Sequence, residues 1–131
     1  MFTLSTGTWT DIPDYPSAGS YTSFTHSLYI EEESAFYVIG GDSNSGQLAT
    51  ILKFDGVNWS AAGALNTARR AHRAIWTGAE LIVAGGLGTR SSERCALNEL
   101  SGTFECTDIT PTLIDFSWGT GAFFVTDQYC R

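Results

Sequence analysis

Few side chains in this chain are equipped for chemistry. His26 and His72 are its only histidines, and metal binding or acid–base work would require them to converge with carboxylates or thiols. Of three cysteines, Cys95 and Cys106 flank "ALNELSGTFE", whose turn falls near Leu100–Gly102. A hairpin folding back there brings the two side chains within disulfide reach, whereas ten intervening residues with no converging histidine do not fit a zinc site. Such a bond implies an oxidising compartment and leaves Cys130 unpaired or bonded to an external partner.

Two glycine pairs follow apolar runs, Gly40–Gly41 after "FYVI" and Gly85–Gly86 after "LIVA". Glycine-rich turns can cradle phosphate through backbone N–H groups, but a phosphate loop feeds a helix and has a lysine nearby. Both pairs here lead into polar stretches, so they read as structural glycines, with backbone angles and close packing that suit no other residue. Glu31–Glu33 reads as a solvated turn, because the equivalent turns elsewhere lack the acids a calcium site needs. Arg69, Arg70 and Arg73 form the only basic cluster. "NWS" makes Asn58 an N-glycosylation candidate, although a tryptophan in the middle position is a poor setting for it.

The elements that must position these groups are strands. No stretch sustains a 3.6-residue apolar period, whereas short β-branched and aromatic runs alternate with Gly, Asp, Asn and Ser clusters. Strands are expected at Phe2–Leu4, Thr8–Ile12, Thr22–Ile30, Ala35–Ile39, Ala49–Phe54, Trp59–Ala62, Ala71–Trp76, Leu81–Ala84, Arg94–Leu97, Thr103–Thr107, Leu113–Trp118 and Ala122–Thr126. The 131 residues, 43% hydrophobic, suffice for one core. A net charge of −7 argues against a nucleic-acid partner, and no apolar run approaches the ~20 residues of a membrane helix. Ser and Thr make up roughly a fifth of the chain beside a single lysine, Lys53, a bias common in secreted β-rich proteins.

The strands repeat. "FYVIGG" (36–41) matches "LIVAGG" (81–86), an offset of 45; "FTHSLYI" (24–30) matches "RAHRAIW" (70–76), with the histidines 46 apart. "FTLSTGTWTDI" (2–12) matches "LKFDGVNWSAAGAL" (52–65), with Trp9 and Trp59 50 apart, and Phe104 lies 45 after Trp59. "LIDFSWGTGAFFVTDQ" (113–128) copies the first two strands of a unit, with Asp127 and Gln128 in place of the glycines. About 45 residues and four short strands per unit is the spacing of a β-propeller blade. In its order of His, apolar strand, Gly-Gly, Asp-Gly, Trp and a following Arg, the chain resembles the kelch repeat.

That resemblance implies an all-β, kelch-type propeller in a single partial domain, 1–131. Two strands (2–12), a blade (21–62), a second blade (71–107) and two more strands (113–126) make about three blades' worth, an incomplete ring on its own. Further blades would come from the same longer protein or from another copy. Trp9, Trp59, Phe104, His26, His72 and the glycine pairs would then be repeat-structural, Trp59 largely buried against the neighbouring blade and each histidine satisfying backbone groups. One or two of Arg69, Arg70 and Arg73 would make structural hydrogen bonds, leaving another to face a ligand. Kelch domains mostly bind proteins or glycans without chemistry, so the expectation is a non-enzymatic, cofactor-free extracellular module for recognition and assembly. The resemblance also admits a subunit polymerising by strand exchange, part of a galactose-oxidase-like copper enzyme, or an intracellular kelch adaptor.

Overall fold

A computed structural model describes residues 2–16 and 22–109, and it is all-β: these residues hold ten strands and no helix. β1 (Phe2–Thr3) and β2 (Thr8–Trp9) form a small antiparallel hairpin. β3 (His26–Ile30), β4 (Ala35–Ser43), β5 (Gly46–Phe54) and β6 (Trp59–Ala64) form a first antiparallel meander. β7 (Arg73–Trp76), β8 (Glu80–Ala84), β9 (Ser92–Asn98) and β10 (Thr103–Ile109) form a second. The two meanders join where β10 pairs in parallel with β6, through Phe104 with Gly63 and Glu105 with Ala64. At the opposite edge β3 lies against β7, so eight strands make one nearly closed, barrel-like sheet.

Side-chain alternation explains the burial. Along β4, Ala35, Tyr37 and Ile39 are fully buried while Phe36 between them is 53% exposed, the period-two signature of a strand with one face in the core. Ile30, Ile51, Leu81, Val83, Cys95 and Phe104 complete the packing between the meanders. Local turn chemistry closes the hairpins. Asp55 Oδ1 accepts from the Val57 and Asn58 N–H groups beside Gly56, and Asn98 Oδ1 accepts from Leu100 and Ser101 ahead of Gly102, the Asx-type arrangement these residues favour.

Each of the ten strands lies where the sequence pattern places one; Leu113–Trp118, Ala122–Thr126 and Cys130 lie outside the described residues. Several bounds differ, among them β2, which ends at Trp9 rather than Ile12, and β5, which starts at Gly46 rather than Ala49; three differences have a local cause. β3 starts at His26 rather than Thr22, and β7 at Arg73 rather than Ala71, because Phe24 and Ala71 sit at φ 52° and 53° and break the extended backbone. The first glycine pair does not end its strand. β4 runs through Gly40–Gly41 to Ser43, because Asp42 and Ser43 find partners in Gln47 and Gly46, and the register shifts between Ile39 and Gly41.

The hairpin pairs Ile30–Ala35 and Trp76–Leu81 stand 46 residues apart and the glycine pairs 45, so β4 carries one more residue than β8 before its glycines. At the register shift the surplus residue lies on β5, where Ala49 and Thr50 stand opposite Gly40.

Candidate functional site

The segment that links the meanders, 65–72, carries Arg69, Arg70 and His72 of the residues singled out in the sequence. It is held by both meanders at once. Leu65 and Arg69 donate backbone N–H bonds to Ala49 and Leu48, and Arg69 and Arg70 carbonyls accept from Gly41 and Leu87. Gly40 is required here: a Cβ would come within 2.6 Å of the Arg69 carbonyl oxygen and 2.8 Å of His72 Cε1.

Arg69 is fully buried, and all its donor groups are occupied. Nε donates to Thr67 O, Nη1 to Gly85 O and Ser91 O, and Nη2 to Ser91 Oγ and, at 2.6 Å, to Glu93 Oε1. Glu93, equally buried, also accepts from the backbone N–H groups of Asn66 and Thr67. The pair thus binds the linker to β9. Arg70 forms an ion pair with Asp42, and Arg73 donates to the His72 carbonyl. Arg69 is structural, and of the three arginines only Arg73 has no acidic partner among the described residues.

His26 and His72 come together, with ring centroids 6.2 Å apart on the seam between β3 and β7. The expectation that each ring satisfies backbone groups fails for His72: it is 1% exposed, and neither ring nitrogen has a hydrogen-bond partner among the described residues. Burial, then the positive fields of His26, Arg69 and Arg73, push its pKa down to about 4. Burial and Arg73 also lower that of His26, against a hydrogen bond to the Ala74 backbone. Both rings are neutral at pH 7.

Cys95 and Cys106 are register partners on β9 and β10 and are joined by a disulfide. Glu93 approaches them, but with its carboxylate committed to Arg69 and both sulfurs bonded, the trio has no free donors for a metal. Neither cysteine is available for a crosslink to tyrosine of the kind copper oxidases use.

Trp59 is mostly covered, packing on Phe54 of its own meander and on Tyr15, with its indole N–H donating to Pro13 O. The reason is register: Trp59 opposes Phe54 on the face turned away from the second meander. Trp9 is 80% exposed, whereas Phe104 is buried against Tyr37 and Trp76. Asn58 and Ser60 are exposed.

At the other end of the sheet, three hairpin turns surround a cleft of about 550 Å³. Glu32 and Glu33 line it from the β3–β4 turn, Gly78 and Ala79 from the β7–β8 turn, Glu99 and Gly102 from the β9–β10 turn, with Trp76 and Leu97 between them. The Trp76 indole N–H has no acceptor among the described residues. Single-chain reasoning missed this cleft because it exists only once three turns distant in sequence share one end. The cleft brings carboxylates, of which Glu33 is paired with Lys53, together with an aromatic wall formed by Trp76.

No protein-family model matches the chain, and no curated protein matches it.

Proposed function

We propose that the protein is a non-enzymatic, extracellular recognition and assembly module built from kelch-type repeats, binding a protein or glycan partner at the cleft between its hairpin turns. The cleft carries this reading. Several of the ionisable residues singled out in the sequence are committed to structure: Arg69 to Glu93, Arg70 to Asp42, Cys95 to Cys106. Around the cleft, Glu32 and Glu99 present carboxylates beside Trp76, while Glu33 is paired with Lys53. That combination suits a partner that brings ammonium, guanidinium or hydroxyl groups and a flat surface for the ring. The disulfide supports the extracellular assignment.

Titration calorimetry of the chain with lysine- or arginine-bearing peptides and with neutral oligosaccharides tests the reading. Binding that Trp76→Ala and Glu99→Lys each weaken about tenfold supports it. Binding that both variants leave untouched, or turnover of the ligand, overturns it.

A further inference from the structure

The seam between β3 and β7 gathers positive groups without a counter-charge. These strands are the two ends of the eight-stranded order, in contact but joined by no ladder among the described residues. Register sets His26 opposite Ile39 and Arg73 opposite Ala84, so both begin their strands at the end remote from the hairpin turns and the cleft. His72 precedes Arg73, and its ring lies 6.2 Å from that of His26.

The charged groups around these rings come from several elements. On the linker, Arg69 is matched by Glu93 of β9 and Arg70 by Asp42 of β4. On β7, Arg73 donates to the His72 carbonyl, and no ion pair among the described residues brings a carboxylate to it. On β3, His26 bonds the Ala74 backbone across the seam. His72 supplies an independent observation. Its ring is 1% exposed, and neither Nδ1 nor Nε2 has a partner among the described residues, a costly arrangement for polar atoms out of water.

A cation suits this cluster poorly, because Arg69 and Arg73 act on His72 with positive fields. An anion suits it well, since its oxygens accept from two imidazoles and a guanidinium at once. We propose that His26, His72 and Arg73 bind a small oxyanion at the β3–β7 seam. His26 and Arg73 are half-buried, which gives the ligand its way in. The Ala71 N–H bond to Phe24 O pins the seam at its start, and the lack of a ladder beyond it lets the two edges part to present the His72 nitrogens. Negative charge beside an imidazole favours its protonated form, so anion and proton bind cooperatively.

Sodium sulfate titrated into the chain at constant ionic strength, with chloride as the balancing salt, tests this by NMR of the imidazole protons. Sulfate keeps its charge as pH changes, so any pH dependence belongs to the protein. Both imidazoles should shift saturably, and the His72 titration should rise by about one pH unit or more at saturation. Affinity should tighten about tenfold from about pH 7 to about pH 5. Arg73→Gln should weaken binding about tenfold with its thermal unfolding still cooperative, and Arg73→Lys should recover part of the loss. Acetate in a parallel titration identifies the ligand: tighter binding than sulfate assigns the site to a carboxylate, weaker binding to a tetrahedral oxyanion. Shifts that chloride reproduces, binding indifferent to pH, or binding that Arg73→Gln leaves unchanged, an adventitious ion only, each overturn the proposal. None of these readouts involves the cleft, so the ligand titrations stand or fall separately.

Discussion

Arg69 and Glu93 are both fully buried, and the guanidinium donates to the carboxylate at 2.6 Å in the heart of the seam between the meanders. Two charges removed from water are tolerable together only because every donor of one and both oxygens of the other find partners.

Removing one partner should therefore cost much more than removing both. Glu93→Gln leaves a buried guanidinium without its counter-charge and should destabilise by about 3–5 kcal/mol. Arg69→Met combined with Glu93→Leu should cost clearly less than the sum of the two single changes. Urea unfolding followed by tryptophan fluorescence provides the double-mutant cycle, and additive costs would contradict the coupling.

The pair shows where the sequence was legible and where it was not. The ten strands, the hairpin disulfide and the glycine-marked repeat follow from local pattern, since alternation, turn residues and spacing are all short-range. Glu93 was passed over because it sits in "SSERC" with no motif around it, 24 residues from Arg69. One signal could have found it. Cys95 belongs to the buried face of β9, and period two places Glu93 on that same face, where an acid requires a cation. Trp59 and Phe104 share a repeat position but not an environment, because register turns Phe104 into the core and Trp59 toward Phe54 and Tyr15. The cleft needs three turns brought together by topology, which no local pattern encodes.

His72 makes stability depend on pH. Its folded pKa, about 4, lies below the ordinary value of 6.5, so the unfolded chain binds the proton first. The stability associated with the neutral ring is fully present above about pH 6.5, declines as pH falls, and is lost by about pH 4. The loss should be about 3 kcal/mol, with His26 acting in the same direction. Denaturation midpoints measured across this window should flatten in His72→Leu; an equally steep dependence in that variant would assign the effect to other groups.

The Cys95–Cys106 bond closes a short loop, with a sequence separation of 11. Loop-closure entropy for that length gives about 3 kcal/mol. Cys95→Ala with Cys106→Ala should lower stability by that order while β9 and β10 keep their pairing, because seven register partners hold them together. Non-reduced and reduced intact masses establish the bond in material from the native source, and circular dichroism of the double variant checks that the sheet remains.

Gly40 and Gly56 separate backbone strain from steric exclusion. Both have positive φ, 53° and 95°, so alanine costs on the order of 1 kcal/mol at either from conformation alone. At Gly56 nothing lies within 4 Å of the added Cβ. At Gly40 that atom meets the Arg69 carbonyl and the His72 ring, each inside 3.0 Å, and the carbonyl already accepts the Gly41 N–H. Gly40→Ala must push the linker away from β4, so it should cost about 3 kcal/mol or more against about 1 for Gly56→Ala. It should also move His72 toward water and shift its titration, followed by NMR of the imidazole protons, up toward 6.5. Equal costs at the two glycines, with an unmoved His72 titration, would show that the linker does not rest on Gly40.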